Sequence, residues 1–182
     1  ANICEFPVNV VSLTGGVNYY LPNTRSSIFN AKLYLTPAPL LMASEDIVKA
    51  MEQEPSVKQI RHMATLAQMS IVGIGGVDSN ATLLTNGTLN HSDVLLLSMQ
   101  GAVGDMLCHF IDKDGNVIQS SLERRLMSTS LEQLKEMNNS IGVAGGNTKA
   151  EAILAALKGK YLDVLITDET TASNVLRLKN QE

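Results

Sequence analysis

The segment IGVAGGNTKAEAIL, residues 141–154, brings together residue types that can hold an anion or a polar ligand. An apolar run ends at Gly145 and Gly146, and the pattern after it is typical of a helix with Lys149 in its first turn. A lysine there opposes the helix dipole at a cost of about 0.3–1 kcal/mol. Glycines let backbone N–H groups approach a ligand, and a helix N-terminus favours negative charge. The segment predicts that Lys149 completes an anion site or bonds a substrate oxygen; the alternative is a solvated surface lysine beside a tight turn.

Acidic residues at two other places could accept hydrogen bonds from sugar hydroxyls. Asp105 lies in the segment GAVGDM, and its alternative role is that of a helix-capping or turn acid. Asp168 and Glu169 follow the run VLIT, and they could bind hydroxyls or cap the helical pattern that comes next. No Ser/His/Asp or Cys/His arrangement typical of nucleophilic catalysis is identifiable, so no catalytic residue is assigned.

The composition argues against several classes of function. Two cysteines, Cys4 and Cys108, and three scattered histidines give no metal-ligand spacing, so we expect neither a metal nor a cofactor. Cys108 lies in an apolar stretch and is predicted to be a buried thiol rather than half of a disulfide. Neither GGNTK nor GIGGVD fits a nucleotide-binding motif. A formal net charge of −4 argues against nucleic-acid binding by this chain itself.

The ends and the hydropathy of the chain bear on its location. No apolar run approaches the ~20 residues needed to cross a bilayer, so no membrane partner is expected. The chain starts with Ala-Asn-Ile-Cys-Glu, without a methionine or a signal-like segment. We expect a cytoplasmic fragment of a longer protein.

Four apolar runs that end in glycines or acids indicate the strands that position these residues: 8–16, 69–76, 140–146 and 163–169. Continuous apolar runs of this length suit strands that are buried on both faces, as in a parallel sheet. Ligands of open α/β sheets bind beyond the carboxyl ends of the strands. The turns after these runs are therefore the expected place for a ligand.

Helical patterns alternate with the apolar runs, so the fold class is predicted to be α/β. The predicted helix signals are an N-cap at Ser44, a helix start at Pro55, a capping box formed by Ser130 and Gln133, and a helix from an Asn147 cap to a Gly159 C-cap.

Two segments are less regular. Residues 105–119 indicate two antiparallel strands joined by a turn at Asp112–Gly115, which would form a small antiparallel insertion. Residues 23–35 indicate a helix that runs into a strand. Because there is no internal repeat, charge block or low-complexity linker, residues 1–182 are interpreted as a single domain.

The segment VAGGNTKAEAILAAL, followed by VLITDETTASNVL, resembles the C-terminal half of the sugar-binding domain of SorC-type bacterial transcriptional regulators. The order and spacing of GIGGVDSNATL, GAVGDMLCHFIDKDGNVI and QEPSVKQI resemble the same domain, and the similarity runs over about residues 10–175. The resemblance implies a parallel-sheet sandwich like that of phosphosugar isomerases and CoA transferases. It also implies a domain that binds a phosphorylated sugar or related metabolite without turning it over. Such domains form homodimers or homotetramers and contact DNA only through a helix-turn-helix domain, which is absent from this chain.

The resemblance also implies which residues contact the effector. Lys149 matches the effector lysine of the family, Asp105 matches its hydroxyl acceptor, and the turn after the first strand lines the same cleft. The residues implied in this way are Lys149, Asp105, Gly145, Gly146, Thr14, Gly15, Gly16 and Thr24, with Asn23 and Arg25 beside Thr24 as weaker candidates. Two departures matter. The region DSNATLL lacks a basic residue, which favours a monophosphate over a bisphosphate. The family's glycine- and threonine-rich phosphate loop precedes the first strand of this chain, so the domain is expected to be truncated at its N-terminus, with part of the pocket.

Three functions stay open at this point. The first is an effector-binding, oligomerising domain of a sugar-responsive regulator. The second is an isomerase- or deaminase-type enzyme on the same fold, with Asp105 or Glu169 as base and Lys149 stabilising a phosphate or enolate. The third is an assembly module whose pocket is vestigial. An enzyme needs an acid and a base near one another, and the sequence offers no convincing pair.

Overall fold

A computed structural model describes residues 7–16, 31–77 and 87–181. The chain divides into two compact units: Ala1–Ala67 with Arg124–Thr129, and Gln68–Glu123 with Ser130–Glu182. The interpretation as a single domain stays a prediction. No helix within the described ranges is long and apolar enough to cross a membrane.

The first unit contains strands β1 (Val8–Val11) and β2 (Ala31–Tyr34) and helices α1 (Glu45–Gln53) and α2 (Pro55–Thr65). Both helix signals are confirmed, because the Ser44 side chain accepts the Ile47 N–H and Pro55 opens α2. The expectation of a doubly buried strand over 8–16 is wrong. β1 ends at Val11, pairs with β2 in a parallel two-stranded sheet, and leaves Val10 47% exposed. The helix expected before β2 lies outside the described residues, whereas the strand itself is present.

A linking segment, Arg124–Thr129, belongs to the first unit although both chain neighbours belong to the second. Its backbone forms hydrogen bonds with two other segments of the first unit. Gly15 N–H donates to Met127 O (2.7 Å), and Met127 N–H donates to Leu40 O (2.8 Å). Met127 is also buried with Met42, Val48 and Val57 in a core cluster.

The described residues of the second unit form five strands and four α-helices. They are β3 (Ser70–Gly76), α3 (His91–Met99), β4 (Ala102–Met106), β5 (His109–Asp112), α4 (Leu131–Lys135), β6 (Ser140–Val143), α5 (Ala150–Lys158), β7 (Val164–Ile166) and α6 (Glu169–Lys179). The strand order is β5-β4-β3-β6-β7, with β3, β6 and β7 parallel and β4 antiparallel to both neighbours. The α/β class and the antiparallel insertion are confirmed. The Ser130 capping box with Gln133 and the Gly159 C-cap are present as predicted.

Helix α5 covers one face of this sheet. Its apolar side is fully buried, and Ala152 and Ile153 are 0% exposed. The close approach requires a glycine on β4, because a Cβ at Gly104 would collide with the Ala152 side chain. This packing fixes the start of α5, and Lys149 before it, at the carboxyl edge of β3.

The opposite face of the sheet carries exposed apolar side chains, which contradicts the expectation that both faces are buried. Ile71 on β3 is 65% exposed, Val143 on β6 is 43% exposed and Ile166 on β7 is 54% exposed. Val143 and Ile166 lie in register with one another and with Gly73. The apolar runs therefore identify the strands, but the described residues leave this face open.

The turn of the antiparallel insertion lies elsewhere than predicted. β4 and β5 are joined at Leu107 and Cys108, which have φ angles of 51° and 70°. Two left-handed residues are typical of a two-residue hairpin turn, although glycine or asparagine usually occupies them. The turn expected at Asp112–Gly115 does form, since Asp112 Oδ1 accepts the Asp114 and Asn116 N–H groups. It leads to a single bridge between Ile111 and Val117 instead of a second strand.

Candidate functional site

The predicted site residues of the second unit lie at the carboxyl edge of its sheet. β3 ends at Gly76, and the glycine turn after β6 and the Asp168 turn after β7 follow at the same edge. β4 runs antiparallel to β3, so the start of β4 lies beside the end of β3. Asp105 on β4 therefore pairs with Gly75 and lies near the same edge of the sheet. The topology thus gathers Asp105, the glycine turn and Lys149 in one region.

A hydrogen bond from the hairpin turn positions the Asp105 side chain, and a glycine on the neighbouring strand leaves space for it. The Cys108 N–H donates to Asp105 Oδ2 (3.2 Å). The carboxylate lies against Gly75, where any Cβ would collide with Oδ1. Burial raises the pKa of Asp105 to about 6, against the opposing effects of the Cys108 N–H and of the Lys149 and His109 charges. The group is therefore an acceptor at neutral pH and a donor in mild acid.

Cys108 is a half-buried free thiol. Burial, together with the nearby Asp105 charge, raises the pKa of the thiol to about 12. The thiol consequently stays protonated at neutral pH and is a poor nucleophile.

Lys149 is the last residue of a 3-10 turn and immediately precedes a helix, and it is not in the first turn of an α-helix as predicted. The 3-10 turn spans Asn147–Lys149, and α5 starts at Ala150. The predicted Asn147 cap is wrong, because Asn147 Oδ1 accepts a hydrogen bond from the Asn174 side chain (3.0 Å). Neither the 3-10 turn nor α5 has a side-chain cap within the described residues. The Lys149 charge opposes the rise in the pKa of Asp105, so these two predicted residues are close enough to interact electrostatically.

Gly145 and Gly146 form the turn between β6 and this 3-10 turn. Gly146 has a φ of 113°, which side chains rarely adopt, and its N–H donates to Thr171 Oγ1 (2.8 Å). Thr171 in turn donates through Oγ1 to Asp168 Oδ2 (2.6 Å), and a Cβ at Gly145 would lie 2.7 Å from that oxygen. Side chains at the start of the neighbouring helix α6 therefore fix the conformation of this turn.

Asp168 takes the capping role among its two predicted alternatives. Its carboxylate caps α6 by accepting the Thr171 N–H (2.9 Å), and hydrogen bonds from Thr171 hold its pKa below the usual range. Glu169 is exposed in the first turn of α6. Sequence reasoning missed Thr171, which is 0% exposed; the spacing Asp168-x-x-Thr171 is a capping signal that could have identified it.

Thr14, Gly15 and Gly16 lie in the first unit. Thr14 forms a bridge with Ser128, and Gly15 and Gly16 donate their N–H groups to Met127 O (2.7 Å) and Ala38 O (2.8 Å). Their participation in one cleft with Lys149 stays a prediction. Asn23, Thr24 and Arg25 lie outside the described residues.

Other features of the second unit lie away from these residues. A cavity of about 580 Å³ at the C-terminal end of α5 is lined by Gly115, Lys158 and Tyr161 among others and by none of the predicted site residues. No group of three or more His, Cys, Asp or Glu side chains in the described ranges could hold a metal ion.

Comparison with protein families places residues 5–177 within a family described as "Putative sugar-binding domain". Among similar curated proteins, the transcriptional regulator LsrR of Klebsiella pneumoniae is 37% identical over 174 residues, which are 94% of this chain and 54% of the regulator. The LsrR of Escherichia coli K12 is 37% identical over 173 residues, or 93% of this chain and 55% of the regulator. The chain therefore spans about half the length of these relatives.

Solved structures share the fold. A DeoR family transcriptional regulator from Listeria monocytogenes superposes with a TM-score of 0.83 at 22% identity, over 93% of this chain and 71% of its own. The full-length sorbitol operon regulator SorC from Klebsiella pneumoniae superposes with a TM-score of 0.79 at 23% identity, over 95% of this chain and 60% of its own.

Proposed function

The chain belongs to the sugar-binding domain family of SorC-type transcriptional regulators, and we propose from this that it binds a phosphorylated sugar to control a regulator of transcription. The ligand is proposed to be a monophosphate. DNA contact is assigned to a helix-turn-helix domain outside the chain, in keeping with its formal net charge of −4.

The observation that carries the proposal is the electrostatic interaction of Asp105 with Lys149 beside the glycine turn. An acceptor carboxylate suits sugar hydroxyls, and an ammonium group suits a phosphate or another polar oxygen. The helix that follows Lys149 has no side-chain cap among the described residues, so a ligand oxygen can take that place. A sugar phosphate supplies both kinds of group in one small molecule.

A thermal-shift experiment on the full-length protein tests this proposal, with a panel of pentose and hexose monophosphates as probes. A ligand at 100 times its Kd stabilises the folded state by about 2.7 kcal/mol, which is easily measured. The variant Lys149→Ala should lose most of the shift. Lys179→Ala removes an exposed lysine at the far end of α6 and should keep it. The pocket assignment fails if no sugar phosphate raises the melting temperature, or if Lys149→Ala responds like the wild type.

We also propose that the domain does not turn its ligand over. The relatives are named transcriptional regulators. One observation favours the enzymatic alternative: a pKa of about 6 would allow Asp105 to act as a base near neutral pH. Incubating the same sugar phosphates with the protein, and assaying isomerisation and deamination, separates the two hypotheses. Turnover that disappears in Asp105→Asn would establish the enzyme.

We further propose that the domain forms homodimers or homotetramers and that it acts in the cytoplasm. The open sheet face offers a surface for this association, since exposed contiguous apolar residues commonly mark interaction sites. Ile71, Val143 and Ile166 contribute to that face. Light scattering of the wild type should show more than a monomer, and a monomer at all concentrations would contradict this part of the proposal.

A further inference from the structure

The cavity of about 580 Å³ at the C-terminal end of α5 is large enough for a ligand of its own. Its walls come from the chain after β5, from α4 and from the chain after α5, and every lining residue belongs to the second unit. Lys149 precedes α5, so the nine residues of this helix place it about 13 Å from the cavity. Pockets for small molecules have volumes of about 300–1,000 Å³. The cavity therefore has the size of a metabolite site and is separate from the proposed effector site.

Tyr161 joins three of the segments that line this cavity. Its hydroxyl donates to Gly115 O (2.6 Å), which ties the end of α5 to the turn after β5. Tyr161 is 3% exposed, and its ring lies against Gly159, where any Cβ would collide with it. The Lys135 ammonium on α4 lies 4.6 Å from the centre of the same ring, within the range of a cation–π contact. These contacts hold the walls of the cavity in place without a ligand.

Lys160, which also lines the cavity, occupies a position that usually belongs to glycine. Its N–H donates to Leu157 O (3.1 Å), and the next N–H, that of Tyr161, donates to Ala156 O (3.4 Å). This is the Schellman motif of a helix end, in which the residue after the C-cap is left-handed and is usually glycine. Lys160 has a φ of 57°, whereas the adjacent Gly159 has a φ of −66°. A lysine in a strained conformation beside a cavity indicates a role for its ammonium group.

The charges that line the cavity favour a negatively charged ligand. Each lining carboxylate has a basic group within 4.0 Å. The pairs are Glu132 with Lys135, Glu123 with His109, and Asp114 with both Lys113 and Lys158. The Lys160 ammonium forms no ion pair with any residue that the structure describes. The acidic side chains of the lining are thus compensated, and Lys160 adds a positive charge that an anion would balance.

We propose that this cavity binds a second ligand, a hydroxylated phosphate ester of metabolite size. A lysine ammonium is a compact charge with three donors, which suits the oxygens of a phosphate group. One carboxylate oxygen of the lining, Glu123 Oε2, is buried without a hydrogen-bond partner in the described part of the chain. A hydroxyl is the kind of donor that this oxygen lacks. A phosphate ester that carries hydroxyl groups supplies both the charge and the donor.

Amide hydrogen exchange of the full-length protein, with glycerol 3-phosphate as the probe, tests the proposal and locates the binding site. The probe is added at ten times the Kd that calorimetric titration gives. Exchange that requires the cavity to open should then slow by about tenfold, because the ligand binds the closed form alone. The protected amides should be those of residues 113–119 and 158–161, which form two of the walls.

Substitutions of Lys160 separate the role of its charge from that of its backbone conformation. Lys160→Asn removes the ammonium, and asparagine tolerates the left-handed conformation, so the variant should fold like the wild type. It should bind the probe about tenfold more weakly, whereas Lys160→Arg, which keeps the charge, should retain most of the affinity. Lys179→Asn is the matched control, since it removes one positive charge from the exposed end of α6 and should bind like the wild type.

Three outcomes overturn the proposal. The first is unchanged exchange of residues 113–119 and 158–161 in the presence of glycerol 3-phosphate. The second is a Lys160→Asn variant that binds the probe like the wild type. The third is equal protection by succinate, which would show that any small dianion occupies the cavity.

The cavity proposal and the effector-site proposal fail separately. If Lys149→Ala leaves the response to sugar monophosphates intact while glycerol 3-phosphate protects the cavity walls, the effector site is wrong and the cavity site stands. If Lys149→Ala loses that response while the cavity walls stay unprotected, the effector site stands and the cavity site is wrong.

Discussion

Replacing Asp105 with asparagine should make the domain more stable at pH 8 than the wild type. Burial raises the pKa of this carboxyl from 3.8 to about 6, so ionising it in the folded protein is unfavourable. A shift of that size corresponds to about 3 kcal/mol at 1.36 kcal/mol per pKa unit. Because Asp105 is only half-buried, solvent reduces the effect, and we expect about 1–3 kcal/mol. Asparagine has nearly the same shape and can still accept the Cys108 N–H.

The sign of the pH dependence follows from proton linkage. The folded state binds the Asp105 proton more tightly than the unfolded state, so the contribution to stability is fully present below pH 3.8 and is lost as the pH rises through about 6. The advantage of Asp105→Asn over the wild type should therefore grow between pH 4 and pH 7 and then level off.

Urea denaturation of both proteins between pH 4 and pH 8 measures this difference directly. Taking the difference in unfolding free energy cancels the titration of the groups that the two proteins share. A difference that is constant across this range, or a variant that is less stable at pH 8, would refute the reasoning. The expected result would mean that the domain tolerates a destabilising carboxylate at its candidate ligand contact, as functional sites often do.

Three further substitutions test the structure around the site. Thr171→Val removes the hydroxyl that is hydrogen-bonded to Gly146 and Asp168. It should lower the free energy of unfolding in urea by about 1–3 kcal/mol, and an unchanged value would show that these hydrogen bonds do not stabilise the domain. Gly104→Ala forces a Cβ into Ala152 and should cost about 1–3 kcal/mol, whereas Gly73→Ala on the open face, where nothing lies within 4 Å, is the matched control; equal losses would contradict the packing. Cys108→Gly relieves a left-handed φ of 70° and should raise the melting temperature, and a lower one would argue against strain in the hairpin turn.

The parts of the fold that sequence reasoning located correctly are governed by a few neighbouring residues. Ser44 and Ser130 cap their helices because a hydroxyl reaches an N–H three residues away, whatever the rest of the chain does. The runs 69–76 and 140–146 form central strands, and alternate residues of the first, such as Val72 and Ile74, are buried.

The parts that were missed depend on distant partners or on unusual conformations. The run 8–16 has the composition of a central strand, but its pairing partner is β2, and pairing between strands is not encoded locally. The hairpin turn at Leu107 and Cys108 carries no turn residues, while Asp112–Gly115 carries all of them and still ends in a single bridge. Asn147 has a capping side chain, but Asn174 from another helix takes its oxygen.

The candidate site was accessible to sequence reasoning only in part. Gly145, Gly146 and Lys149 form a recognisable strand-turn-helix signal. Asp105 lies about forty residues earlier in the chain, and only the family resemblance indicates that it joins them. Gly75 has no side chain and so leaves room for the Asp105 carboxylate. This contact depends on the register between β3 and β4, which the spacing of residues in the sequence does not determine.

The central claim is that Lys149 and Asp105 bind a phosphorylated sugar, and calorimetric titration of the full-length protein tests it most directly. The titrant is the sugar monophosphate that gives the largest thermal shift. We expect Lys149→Ala to weaken binding by about 10- to 100-fold, as for loss of a charge-assisted hydrogen bond, and Lys179→Ala to bind like the wild type. Unchanged affinity in Lys149→Ala, or an absence of binding by every sugar monophosphate in the wild type, would contradict the central claim.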